Sequence, residues 1–207
     1  MIADLHWLGH ASFYVRSRQG TVVYFDPYRL KEGLPQADLI LVSHDHFDHC
    51  SPEDIRKISK PKTVVIGPAP VAGKLAGTVR LLAAGGTASV GDVKIEALPA
   101  YNPAKKFHPR SAGYLGFIAV VDGVRIYHAG DTDFIPEMRT VKADVALLPI
   151  GGTYTMDPGE AAQAAAAINP RLAVPMHYGG GVVGSPQDAK KFQELCACEV
   201  LLLQPEP

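Results

Sequence analysis

The chain has 207 residues, 47% hydrophobic and 20% charged, with a formal net charge of −1. That suits a single domain spanning residues 1–207 with enough apolar side chains to bury a core, and it excludes a disordered chain. There is no block of like charge and no apolar run near about 18 residues, so neither a nucleic-acid surface nor a membrane span is expected.

The opening "MIADLHWLGHASF" lacks the basic, apolar and small-residue regions of a signal peptide, so a cytoplasmic location is expected. Further on, apolar β-branched runs repeatedly end in polar residues. "TVVYFDPY" (Thr21–Tyr28) ends at Asp26-Pro27, and "ADLILVSH" (Ala37–His44) ends in a histidine cluster. "SPEDIRKI" (Ser51–Ile58) follows as a helix with Ser51 as cap and Pro52 at its first position. "VRIYHAGDTD" (Val124–Asp133) ends in a Gly-Asp turn, "DVALLPIGGTY" (Asp144–Tyr154) in glycines, and "RLAVPMHYGGG" (Arg171–Gly181) at His177. "DPGEAAQAAAAI" reads as a helix capped by Asp157 with Glu160 in its first turn, and "SPQDAKKFQELC" repeats that grammar from Ser185. Many strands with few helices predict an α/β fold, two sheets faced by helices, whose strands deliver polar groups to one rim.

Three cysteines without a secretory context make no disulfide framework. Cys196 and Cys198 are expected as small apolar residues of the last helix and strand, and Cys50 as a packing residue. "GGGVVG" (Gly179–Gly184) satisfies G-x-G-x-x-G, but too little chain follows it for a second half of a dinucleotide fold. The helix that begins at Ser185 could still present its N-terminus to an anion.

The dense feature is "VSHDHFDHC", with three histidines and two aspartates from His44 to His49. Imidazoles and carboxylates are the ligands of zinc, manganese and iron. On an extended loop the alternating residues can converge on one ion, while Asp48 and His49 project toward a second. The competing reading is a solvated polar turn, which fits poorly with four such residues directly after a buried strand.

The H-x-H-x-D-H pattern, with "WLGHASF", "FDPY", "YHAGDTD", "LLPIGGTYTM" and "PMHYG", resembles the metallo-β-lactamase superfamily almost end to end. It is similar to the branch containing ascorbate-6-phosphate lactonase and N-acyl-phosphatidylethanolamine phospholipase D. The resemblance implies a four-layer αββα sandwich with two divalent metal ions, zinc first, manganese or iron as alternatives. It makes His44 and His46 ligands of one ion, Asp48, His49 and His177 ligands of the other, and Asp131 the bridge. Asp26 would orient a ligand histidine through its other ring nitrogen. His10 would lie either near the site or in the core of a first hairpin. His128 is expected in the core or supporting the site, and His6 as structural.

One position departs from the pattern. In "LPAYNPAKKFHPR", Asn102 stands where the branch has another histidine. Either His108, six positions later, completes the first site, or the site is weak and His108 is a loop residue or a substrate contact. Lys105, Lys106 and Arg110 in that loop, with the hydroxyls of Tyr101, Tyr154 and Tyr178, suit a small anionic ester, lactone or phosphodiester, though a solvated basic loop is an equal reading. The implied activity is hydrolysis by a metal-activated hydroxide, with Asp48 and Asp131 as catalytic carboxylates. Thioesterase, RNA-processing and diiron branches fit less well, because their extra regions or ligands are missing here. A non-catalytic metal-binding sensory module is the alternative from another class, supported only by Asn102. A homo-oligomer is left open.

Overall fold

The computed structural model describes residues 4–206 apart from 76, 78 and 180, so Gly180 of the glycine run lies outside the described residues. The first half comprises β1 (Asp4–Gly9), β2 (Ser12–Arg16), β3 (Val22–Phe25), β4 (Ala37–Leu41), α1 (Pro52–Ile58), β5 (Ser59–Gly67), α2 (Ala69–Ala72) and β6 (Val79–Leu81). The second comprises β7 (Thr87–Val90), β8 (Val93–Pro99), β9 (Leu115–Val121), β10 (Val124–His128), β11 (Val145–Pro149), α3 (Pro158–Ile168), β12 (Leu172–Met176), α4 (Pro186–Leu195) and β13 (Glu199–Val200). Each half makes one sheet, ordered β1-β2-β3-β4-β5-β6 and β13-β12-β11-β10-β9-β8-β7.

Both faces of the first sheet are covered, and the period of two shows how. Phe13, Val15, Val23 and Phe25 enter the main core, while Tyr14, Val22 and Tyr24 join Ile55, Ile58 and Val71 of α1 and α2 in a smaller one. On the other side α3 and α4 add Ala161, Ala165, Ile168, Ala189 and Phe192 to the main core. The result is the expected four-layer αββα sandwich. Among the described residues, no helix is long and apolar enough to cross a membrane.

The caps follow the sequence. Ser51 accepts from the Asp54 amide, Asp157 from the Glu160 amide, and Ser185 and Asp188 form a reciprocal box. Glu160 departs from the pattern, because its carboxylate accepts from the Phe134 amide at 2.8 Å instead of turning back to its own cap. All three cysteines are free, with Cys50 buried in the smaller core. Cys196 and Cys198 are not inside an element as expected but in the connection from α4 to β13.

Strand direction builds the rim. β1, β3 and β4 run the same way, as do β8, β10, β11 and β12. Their C-terminal ends release His10, Asp26, His44, Asn102, Asp131 and His177. These strands stop earlier than the apolar runs imply: β3 ends at Phe25 and β4 at Leu41. The backbone must leave the sheet there to aim side chains, and Asp26 does so with φ of 41°. Gly130, just before Asp131, has φ of 65°, and a Cβ there would lie 2.7 Å from the Leu115 carbonyl oxygen. Gly130→Ala is therefore expected to destabilise the protein by more than about 1 kcal/mol. An unchanged urea midpoint would contradict this.

Candidate metal centre

Two groups of ligands, buried except for the half-buried His46, meet at the rim. His44, His46 and His108 form one, and His10, Asp48, His49 and His177 form the other, the ligand atoms of each group lying within 4.8 Å of one another. Asp131 stands between them. Its Oδ2 is 3.0 Å from His177 Nε2, 3.5 Å from His108 Nε2 and 3.9 Å from His44 Nε2, and its Oδ1 is 3.3 Å from His49 Nε2. Asp131 thus faces both groups at once.

His10, Asp26 and His177 all hold left-handed backbone, with φ of 51°, 41° and 58°. Such residues cost about 1–3 kcal/mol each and persist where surrounding contacts dictate the conformation. Here each directly follows a strand, and the turn swings its side chain over the rim.

Hydrogen bonds at the far ring nitrogens set the tautomers. Asp26 accepts from the Ser43 amide at 2.7 Å, from the Ser43 hydroxyl at 2.6 Å and from His49 Nδ1 at 2.7 Å. Since the Ser43 hydroxyl donates to Asp26, its oxygen accepts from His44 Nδ1 at 2.8 Å. Asn102 Oδ1 accepts from His108 Nδ1 at 2.6 Å, and Asn102 Nδ2 donates to Asp133 at 2.9 Å. His44, His49 and His108 thereby turn Nε2 toward the centre.

That arrangement tests whether the residues fit a metal. His44 Nε2 and His108 Nε2 lie 3.1 and 3.2 Å from His46 Nδ1, which can carry at most one proton. Three ring nitrogens so close repel one another unless a cation lies among them. In the second group His49 Nε2, both His177 nitrogens and Asp131 Oδ1 are buried without a well-aligned hydrogen-bond partner. Buried polar atoms left this way are costly. The donor set, imidazoles with carboxylates, suits zinc, manganese or iron.

Electrostatics agree. Burial pushes His44 well below its ordinary value and lowers His10 and His108 to about 4, so all three are neutral, as the ligand candidates His44 and His108 must be. Burial opposes the charge of Asp131, yet His177 and His49 hold it well below the usual carboxylate range. For His49 burial acts downward, but Asp131 and Asp26 outweigh it and hold the ring well above its ordinary value. Two carboxylates that favour a proton there favour a cation equally.

The other sequence candidates divide. Tyr154 lines the cavity over the centre with His46, Asp48, His108 and Asp131. The Tyr101 hydroxyl instead donates to Glu137 at 3.0 Å. Tyr178 stacks on Trp7 at 5.1 Å and lines, with His10 and Tyr28, a separate cavity of about 550 Å³. Lys105 is tied to Asp133 and to the Thr155 carbonyl, and Arg110 to Glu137, so the loop offers the site less charge than expected. In the first turn of α4 the Asp188 carboxylate accepts from the Ser185 amide at 2.8 Å and from its hydroxyl at 2.7 Å, placing a negative charge at that helix start. His128 uses both nitrogens in the core, on the Ala11 carbonyl and the Gly130 amide. His6 is structural as expected, stacked on Tyr14 and bonded to Asp4 and Glu206.

Ser43, Tyr114 and Lys74 were not read from the sequence. Ser43 could have been, as a hydroxyl adjoining the first histidine. Tyr114, which packs 5.0 Å from His44 and donates to Asp45, had no signal in spacing. Lys74 comes from the turn after α2 and reaches the cavity only by tertiary folding.

Comparison with known proteins agrees with this geometry. The family described as the beta-lactamase superfamily domain matches residues 4–177. The chain is 34% identical to a UPF0173 metal-dependent hydrolase of Koribacter versatilis, over 92% of this chain and 91% of that one. It is 36% identical to a UPF0173 metal-dependent hydrolase of Caldivirga maquilingensis, over 92% and 88%. Among solved structures, the metallo hydrolase Igni18 of Ignicoccus hospitalis superposes with a TM-score of 0.77 at 26% identity, over 98% and 95% of the two chains. The match over nearly the whole chain, together with a rim of histidines and aspartates, places the chain in the metallo-β-lactamase superfamily, within its UPF0173 metal-dependent hydrolase family.

Proposed function

We propose that the protein is a dinuclear metal hydrolase acting on a small ester, lactone or phosphodiester, probed most directly in the cytoplasmic fraction. His44, His46 and His108 would hold one ion, Asp48, His49 and His177 the other, and Asp131 both. Zinc suits this set first, manganese or iron next. When bound, such ions polarise a carbonyl or phosphoryl oxygen and lower the pKa of water toward about 7.

The chain's own groups supply positioning. Burial opposes the charge on Asp48, but the hydrogen bond from His10 and the nearby His49 lower its pKa to about 2, so it is ionised, as a carboxylate ligand must be. His10 Nε2, at 3.0 Å, fixes which Asp48 oxygen is occupied and leaves the other for the site. A carbonyl or phosphoryl substrate entering beside His46 and His108 would find Asp48 on the same cavity wall.

The observation that carries this reading is the trio of ring nitrogens 3.1 and 3.2 Å apart, in which His46 Nδ1 has at most one proton to share between His44 and His108. Asn102, the one feature that favoured a sensory module, holds His108 in place, so the departure no longer speaks against turnover. The test is elemental analysis with a screen of lactone, phosphodiester and thioester substrates. About two metals per chain and turnover of one class are expected. No transition metal after reconstitution would sink the proposal.

A further inference from the structure

We infer that the cavity over the metal centre selects an aromatic substrate bearing a negative charge, with Lys74 receiving the anion and Phe47, Phe107 and Tyr154 the ring. This rests on the hydrolase reading above and extends it to substrate class.

The cavity is about 480 Å³ and opens directly onto His46, Asp48, His108 and Asp131. Its remaining wall is Phe47, Lys74, Phe107, Tyr154 and Val182. Phe47 is 65% exposed and Phe107 47%, and they are the only large exposed aromatic side chains among the described residues. Scattered exposed apolar residues need no explanation, but here both stand at one mouth.

Their placement is not accidental to the chain. Phe47 lies between His46 and Asp48, in a loop pinned by the His49 and Cys50 amides on the His46 carbonyl, so turning its neighbours inward turns it outward. Phe107 directly precedes His108. Each ring is thus held one residue from a ligand of the centre. Both are also braced from behind: Phe47 meets Tyr28 edge-on at 5.9 Å, and Phe107 meets Tyr154 at 4.6 Å with the planes perpendicular. Braced rings make contacts with little loss of rotamer freedom, and they favour another π-face over a polar group.

Lys74 supplies the charge. Its ammonium donates to the Asp45 carbonyl, and no carboxylate lies within ion-pair distance of it among the described residues. Lys105 and Arg110, by contrast, are already neutralised by Asp133 and Glu137. An unpaired cation on the wall of a cavity with aromatic lips fits an aryl ester or aryl phosphodiester that carries a carboxylate or phosphate.

Calorimetric titration of the metal-loaded protein with phenylacetate, benzyl alcohol and acetate tests this without requiring turnover. Phenylacetate is expected to bind at least about tenfold more tightly than either of the others. Lys74→Met should bring phenylacetate down to the level of benzyl alcohol. Phe47→Ala or Phe107→Ala should weaken phenylacetate and benzyl alcohol together, by about three- to tenfold, and leave acetate alone. If Lys74→Met leaves phenylacetate unchanged, the carboxylate sits on the metals and the anion site is wrong. If acetate matches phenylacetate, the ring site is wrong. Either result leaves metal content and hydrolysis, measured separately, untouched.

Discussion

Asp131→Ala is expected to abolish hydrolysis and to strip metal from both halves of the centre. The reason is geometric. Asp131 faces the Nε2 atoms of both ligand groups, through Oδ2 to His44, His108 and His177 and through Oδ1 to His49. Removing it also takes away the carboxylate that His44, His49, His108 and His177 all face. Activity should fall by at least about 10³-fold, beyond the loss seen when a single stabilising group is removed from an active site. Metal content should fall below one ion per chain. His177→Ala removes a ligand from the second group only, so it should retain about one ion, held by His44, His46 and His108. Equal and mild losses from the two substitutions would show that Asp131 does not bridge. Because Asp131 is buried, Asp131→Asn provides a control that keeps the volume. It should fold yet still lose metal, since a neutral amide is a poor bridge.

His108→Ala should lower metal content toward one ion per chain. His108 Nε2 is 3.2 Å from His46 Nδ1 and 3.5 Å from Asp131, and nothing else in its loop offers a donor to that group. Asn102→Ala acts one step back. It removes the acceptor that keeps the proton on His108 Nδ1 and breaks the link through Asp133 to Lys105. Losing such an outer partner costs about 10–100-fold in metal affinity. Asn102→Asp keeps an acceptor for His108 Nδ1 and should restore much of that loss, which a merely structural role for Asn102 would not predict. Competition with a metal chelator reads the affinity directly. If His108→Ala leaves occupancy unchanged and raises only the Michaelis constant, His108 is a substrate contact instead.

Local chemistry carries a good deal of this protein in one dimension. Ser51-Pro52, Asp157-Pro158 and Ser185-Pro186 announce helix starts because caps and proline act within a single turn. The runs before Asp26, His44, Asp131 and His177 announce strands because alternation and burial leave a periodic trace. The His44–His49 cluster announces a metal because five ionisable groups in six residues have few other uses. Those features together determined the layered fold and the polar rim, while the ligand roles beyond the cluster are implied by the family resemblance.

Tertiary structure decided what depends on approach between distant segments. That His108 and not Asn102 faces His44, 64 positions earlier in the chain, follows from where β8 and β9 carry the intervening loop. That Ser43 relays Asp26 to His44 follows from β3 and β4 lying side by side. That Lys105 is spent on Asp133 while Lys74, at the cavity, has no carboxylate in ion-pair reach among the described residues follows from which side chains come near, and no spacing encodes it. Periodicity reports how a segment meets its own neighbours along the chain, whereas hydrogen-bond partners and countercharges are chosen across the fold, where sequence separation carries no distance.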